Sequence, residues 1–299
     1  MALSKKTINW LNELNISLKG KNVLVTGSNS GVGLKTIETS LYLGAHVIMS
    51  CRNYEKALNA KTNLLQDYPD AKIDIMQIDL SDFSSIDEFA NNIIDNKIDI
   101  DIFVNNAGTF HKRCVTKDGF ENVIGTNYFG VYRLSEKIIP YLKTLPHKVY
   151  YFNTISVVHK LVKIDYKDFY CNKHYEHFNV YAKSKLCLAK YSYDLAKKLE
   201  DTNVCVYMIH PGISVTPLGA NAFGSVISKL ANALRGVFNS PEKSSLAMVY
   251  SLLKDLPAGS ITGPSFLEVW GYPKSGKIRR CVKEGAEELI AFTESELRR

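Results

Sequence analysis

From residue 21 onward the chain repeats one pattern: a short apolar run without polar/apolar alternation, followed by a stretch of helical spacing. No other feature limits the fold as tightly. Residues 21–26 (KNVLVT) read as a buried strand that Gly27 breaks; Leu34, Ile37, Leu41 and Leu43 then recur at helical spacing, and Gly44 hands over to a second strand at 45–50. The series continues with a polar helix at 54–68, a strand at 73–78, a helix at 83–94, a strand at 100–105 and a long helix at 119–142. A strand at 148–153, a helix at 180–199, a strand at 204–210 and a last strand at 265–269 complete it. Strands that are apolar on both sides must be covered on both faces, and strands separated by helices are joined by crossovers. The expected fold class is therefore α/β, one doubly wound parallel sheet of about seven strands with helices on both faces and a ligand crevice outside the strands' carboxyl ends.

No internal repeat, low-complexity linker or shift in composition marks a second unit, so a single domain over 1–299 is expected. Residues 218–240, rich in Gly, Asn, Ala and Ser, read as a segment that covers the substrate, and the mixed-charge tail at 277–299 reads as a solvated helical end. Apolar residues make up 45% and charged residues 22%, enough for an ordinary globular core. The net charge of +7 is dispersed among acidic residues instead of forming a basic stripe, which argues against a nucleic-acid partner and accommodates a phosphate-bearing cofactor. Six cysteines without a C-x-x-C pair fit reduced thiols. Residues 1–15 lack the apolar core of a signal peptide, and no segment approaches the ~18–20 apolar residues of a membrane span. A cytoplasmic protein without a membrane span is expected.

The first strand runs straight into Gly27-Ser28-Asn29-Ser30-Gly31-Val32-Gly33, and the helix begins inside that turn. A glycine-rich turn feeding a helix N-terminus lets backbone N–H groups approach a pyrophosphate, and the helix dipole favours its charge.

The spacing T-G-x-x-x-G-x-G resembles that of the short-chain dehydrogenase/reductase family, and the resemblance runs in order along nearly the whole chain. Asp79, followed by Leu80, is similar to the family's adenine-contacting aspartate; Asn105-Asn106-Ala107-Gly108 resembles the N-N-A-G motif; Asn127 falls where a helix asparagine holds a proton-relay water. Ser156, Tyr181-Ala182-Lys183-Ser184-Lys185 and His210-Pro211-Gly212 complete the series, with Ile213 and Thr216 implied as nicotinamide contacts. The resemblance implies a Rossmann sheet, a nicotinamide cofactor and a dimer or tetramer built through the long helices, with a monomer as the alternative. The second strand ends in Ser50-Cys51-Arg52-Asn53, where NAD-using members carry an acid for the ribose 2′-OH. A guanidinium there binds a 2′-phosphate instead, so NADP(H) is expected, with Lys56, Ser28 or Asn29 assisting.

Tyr181 and Lys185 are four apart on an expected helix and share a face, so the ammonium is expected to lower the phenol's pKa and make it a proton carrier. A Tyr/Lys pair at this spacing is common on ordinary helices; the glycine turn upstream is what points to catalysis. Asn127, Ser156, Tyr181 and Lys185 form the expected catalytic set, Ser156 hydrogen-bonding the substrate oxygen. Ile155 occupies the place of a second serine in related sequences. His111 and His159 are candidates for the pocket wall. Cys171, His174 and His177 have a spacing that suits zinc but lack a fourth ligand, so no metal is expected.

The interval from Ser156 to Tyr181 and the run S-C-R-N resemble retinol dehydrogenase-like and protochlorophyllide reductase-like members, which implies hydride transfer between nicotinamide and a lipophilic carbonyl or alcohol. Reduction of an activated carbon–carbon double bond and cofactor sensing without chemistry are the alternatives. Sensors typically lose the tyrosine or the lysine, and this chain keeps both.

Overall fold

The computed structural model describes residues 2–212 and 239–298. Its strands are β1 (Asn22–Thr26), β2 (His46–Cys51), β3 (Ile73–Gln77), β4 (Ile102–Asn105), β5 (Val149–Thr154), β6 (Val204–Ile209), β7 (Ile261–Phe266) and β8 (Trp270–Gly276). They form one eight-stranded sheet in the order β3-β2-β1-β4-β5-β6-β7-β8. Every neighbouring pair is parallel except β7 and β8, which are antiparallel.

Successive residues of a strand point to opposite faces, and here both faces are dry. In β1, Leu24 packs into one apolar cluster while Val23 and Val25 pack into the other. The Leu24 face is covered by α4 (Phe83–Asp95), α6 (Gly130–Leu142) and α7 (His177–Lys198). The opposite face is covered by α1 (Lys5–Leu14), α2 (Gly31–Tyr42), α3 (Tyr54–Asp67) and the helix Pro241–Leu253. The absence of alternation noted in the sequence is this two-sided burial.

Three expectations need correction. The single last strand at 265–269 is a hairpin: residues 267–269 are the turn between β7 and β8, so the sheet has eight strands among the described residues. No Gly, Asn or Pro marks that turn, and the β-prone run F-L-E-V-W conceals it. The long helix expected at 119–142 starts only at Asn122, as the short α5 (Asn122–Ile124), because Gly119 has φ +89° in a turn, and a π-helical turn at Gly125–Phe129 separates it from α6. The tail is not a solvated end. Ala286, Leu289, Ile290 and Thr293 follow i, i+3, i+4, i+7 among charged neighbours and are all buried in the helix Ala286–Leu297. Tyr128 Oη lies 2.6 Å from Thr293 Oγ1, and the Phe169 and Phe292 rings stand 4.5 Å apart. This helix lies against α7, occupying part of the surface of the long helices. The expected cover at 218–240 falls outside the described residues except for Asn239 and Ser240.

Because Leu289 is fully buried, Leu289→Ala is expected to cost about 2–5 kcal/mol. Urea denaturation should register that loss, and a change below about 0.5 kcal/mol would mean the tail is dispensable surface.

Candidate active site

β1 has β2 on one side and β4 on the other, so the strand order reverses at that point and leaves a crevice beyond the strands' carboxyl ends. A cleft of about 560 Å³ lies there. Its walls come from the strand ends in turn: Gly27 after β1, Arg52 after β2, Asp79 after β3, Asn106 to Gly108 after β4, Ser156 after β5 and Pro211–Gly212 after β6.

The glycine turn permits close approach because side chains there have no room. Gly27 has φ +64°, and a Cβ on it would sit 2.7 Å from Ala107 Cα; a Cβ on Gly33 would sit 2.4 Å from Gly27 O. α2 begins beneath the cleft, and the side chain of its N-cap residue Ser30 makes no capping hydrogen bond, leaving the first-turn donors without one. Asn29, Ser30, Gly31, Val32 and Gly33 line the cleft. Ser28 does not: it is fully buried, its N–H and hydroxyl directed at Ser50 O, which removes it from the expected phosphate contacts.

Arg52 is 76% exposed at its side chain and stands 3.9 Å from Asp79 Oδ2, so its guanidinium is free to turn toward an anion at the rim. The Asn53 side chain accepts from Lys56 N and caps α3. Asp79 Oδ1 accepts from Ser81 N and Oγ, which fixes the carboxylate beside Leu80 at the cleft edge. Asn106 is used internally: its Nδ2 donates to Thr26 O at 2.9 Å, and its N–H, like that of Ala107, donates to Thr26 Oγ1. It ties the β4 turn to the glycine turn.

Buried amides hold the helix that carries the tyrosine. Asn105 Nδ2 donates to Asn153 Oδ1 at 2.9 Å, and Asn153 Nδ2 donates to Ser192 Oγ on α7 at 2.8 Å. Asn127, inside the π-helical turn, is wholly buried. Its Oδ1 accepts from Thr109 N at 2.7 Å, and its Nδ2 donates to Thr109 O and Ser184 Oγ. Its side chain therefore braces the segment behind Gly108 and does not reach the cleft.

Ser156, Tyr181 and Lys185 converge on one wall. Lys185 Nζ donates to Thr154 O at 2.8 Å and lies 6.0 Å from the centre of the Tyr181 ring. The expected lowering of the phenol's pKa is not what this geometry produces. Burial pushes Tyr181 up to about 12, opposed by a hydrogen bond with Ser156, and burial brings Lys185 down to about 8. Spacing on a helix sets which face two side chains share, but desolvation decides the charge each can hold.

Ile213 and Thr216 lie outside the described residues. His111 lines the cleft, whereas His159 is fully buried behind it. His159 Nδ1 donates to Ser156 O at 2.5 Å, and burial pushes its pKa down to about 4, which keeps the ring neutral. Among the described residues no group of three His, Cys, Asp or Glu gathers to hold a metal.

Sequence reasoning missed an apolar wall. Phe110, Val157, Val158 and Phe178 line the cleft, and the Phe110 ring meets Tyr181 edge-on at 5.3 Å. Apolar residues beside the N-N-A-G turn, Ser156 and Tyr181 were its only signal in the chain.

The arrangement fits a dinucleotide. The glycine cradle would be filled by any Cβ, Thr154 Oγ1 is buried in the wall without a partner, and Lys185 has donors beyond the one given to Thr154 O. Residues 21–159 match the family model described as short chain dehydrogenase. Retinol dehydrogenase 14 of Mus musculus is 34% identical over 68% of this chain and 64% of its own length. Retinol dehydrogenase 12 of Homo sapiens is 34% identical over 67% of this chain and 63% of its own. The alignments thus span just under two thirds of those relatives. Among solved structures, an uncharacterised protein from Mycobacterium paratuberculosis superposes with TM-score 0.75 at 26% identity, covering 94% of both chains. A short chain dehydrogenase from Burkholderia cenocepacia, in complex with NADP, has TM-score 0.64 at 20% identity, covering 85% of this chain and 97% of its own. No helix among the described residues is long and apolar enough to cross a membrane.

Lys185 has a folded pKa of about 8 against an ordinary 10.5. Its charged form is held against a penalty that is complete below pH 8 and vanishes as pH rises to 10.5. Wild-type stability is therefore expected to rise relative to Lys185→Met by about 2–3 kcal/mol from pH 7 to pH 10, on top of a constant loss in the variant of the bond to Thr154 O. Thermal midpoints of both proteins from pH 7 to 10 test this; a difference that does not move with pH would contradict it.

Proposed function

The chain belongs to the short-chain dehydrogenase family, in its retinol dehydrogenase-like branch, and on that premise we propose that it is an NADPH-preferring oxidoreductase acting on a lipophilic carbonyl or alcohol. The observation that carries this reading is the meeting of Ser156, Tyr181 and Lys185 on the wall of a cleft whose other end is a glycine cradle at a helix N-terminus. The bound cofactor would supply or accept the hydride.

The chain's own residues manage charge and protons. Tyr181, pushed up to about 12, stays protonated at neutral pH and is set to give its proton to an oxygen that gains negative charge. Ser156, on the same wall, is set to turn its hydroxyl proton toward that same oxygen. Lys185 keeps N–H donors for ribose hydroxyls and holds β5 through Thr154 O. The apolar wall of Phe110, Val157, Val158 and Phe178 favours an apolar substrate, which would displace water from it on binding. Retinaldehyde and medium-chain aliphatic aldehydes form the natural first panel.

Arg52 supports the cofactor preference, since the rim position after β2 offers a guanidinium and no acid. Arg52→Glu is expected to reverse the ratio of kcat/KM for NADPH over NADH by at least ~100-fold, because a bidentate phosphate contact is replaced by repulsion. An unchanged ratio would remove Arg52 from the phosphate site.

Tyr181→Phe is expected to lower kcat for aldehyde reduction by about 10²–10⁴-fold while NADPH binding, followed by nicotinamide fluorescence, stays within a few-fold. Retention of full turnover would end the assignment of the proton to this phenol.

A further inference from the structure

The turn between β7 and β8 is built against its own backbone preference. Leu267 and Glu268 have φ +49° and +61°, and Val269 N donates to Phe266 O at 2.9 Å, the pattern of a turn that normally takes Asn-Gly. Neither residue is small or turn-forming, so something beyond the turn must hold it in place.

The Glu268 carboxylate supplies that hold. Its Oε2 contacts Lys160 Nζ and lies 3.8 Å from His210 Nε2, while Oε1 lies 3.5 Å from Arg279. Lys160 is on the short 3-10 helix Val157–Leu161 that directly follows Ser156. His159, its neighbour, bonds to Ser156 O through both its N–H and its ring. His210 closes β6, immediately ahead of Pro211–Gly212, with its buried ring pressed so closely on Gly263 that a Cβ there would lie 2.0 Å from Nε2. The same turn also abuts Gly212, where a Cβ would lie 2.2 Å from Val269 O. Asn239 adds a second tie, donating to Pro211 O and accepting from Gly271 N.

We propose that Glu268 is a positioning residue: one carboxylate, carried on a strained hairpin turn, clamps the segment bearing Ser156 to the segment bearing Pro211–Gly212 and so sets the width of the cleft between substrate oxygen and cofactor. This rests on the reading of Ser156 given above. A carboxylate is needed because it stands between the Lys160 ammonium and the Arg279 guanidinium, which repel without it; the His210 ring, kept neutral by burial that pushes its pKa down to about 3, adds a contact and no charge. Glu268 touches neither substrate nor cofactor, so its effect travels through Lys160 and His210.

The test uses the free protein and the complete reaction in parallel. Hydrogen exchange read by mass spectrometry over 155–161 and 207–212, with no cofactor added, is expected to speed up at least ~10-fold in Glu268→Gln as the two segments come apart. With NADPH and a medium-chain aldehyde, kcat is expected to fall at least ~10-fold while KM for NADPH changes less than ~3-fold, the split that identifies a loss felt in the transition state. Glu268→Gly separates positioning from scaffolding: glycine suits the turn, so its thermal midpoint should not fall, yet it should show the same faster exchange and lower kcat. Lys160→Met combined with Glu268→Gln should lose no more than the worse single variant. Leu267→Asn, which eases the turn and leaves the carboxylate, should retain wild-type exchange and turnover. Unchanged exchange in Glu268→Gln, or a loss of turnover that simply follows a fallen thermal midpoint, would overturn the proposal. If the wild-type protein reduces no aldehyde, the functional reading fails, and the exchange arm still decides whether the clamp exists.

Discussion

A parallel sheet buried on both faces carries an unavoidable geometric consequence: every strand ends at the same edge, where backbone groups leave the ladder and must find new partners. In this chain six successive strand ends meet there, and each contributes a wall of the cleft. The reversal of strand order beside β1 opens the crevice, and the crossovers cover everything else. Site and fold follow from the same requirement, since apolar strands without alternation need cover on both faces.

Within the cleft, desolvation outweighs direct attraction. An ammonium and a phenol on one helix face would be expected to stabilise each other's charged forms, yet the Lys185 ammonium reaches Thr154 O and desolvation of the half-buried phenol dominates. The outcome is a phenol held protonated and a lysine whose charge is costly. Such a pair suits giving a proton at neutral pH better than removing one. Preorganisation has the same origin: Asn105, Asn106, Asn127 and Asn153 use their amides on neighbouring backbone and side chains, so the segments around the cleft are tied to one another.

The C-terminal part of the chain adds what the central pattern lacks. The hairpin β7–β8 extends the sheet and brings Glu268 to the segments that follow β5 and β6. The helix Ala286–Leu297 lies against α7 with Leu289 buried, and it is tied to Tyr128 through Thr293 and to Phe169 through Phe292. Both elements arise from stretches whose charge or β-propensity hides their structural part.

Much of the fold was legible because burial on both faces leaves a direct imprint on local composition: the first six strands, their helices and the glycine turn could be placed from hydrophobic period and from Gly27, Gly31 and Gly33 alone. The order of motifs from Gly27 to Pro211 was legible through its resemblance to the short-chain dehydrogenase/reductase pattern; most of these motifs sit where a strand stops, whereas Asn127, Tyr181 and Lys185 sit on helices. The turn at Leu267–Glu268 could not be read, because its conformation is held by Lys160, Arg279 and His210, residues distant in the chain. Nor could the inward turn of Ser28, the withdrawal of Asn127 and His159 from the cleft, or the raised pKa of Tyr181. Sequence by itself determined which residue types arrive at the strand ends, because period and turn chemistry act over a few neighbouring positions. Only the tertiary structure decided which of those side chains face the cleft and what charge they can carry, because hydrogen-bond partners and exclusion of water are set by segments brought together from across the chain.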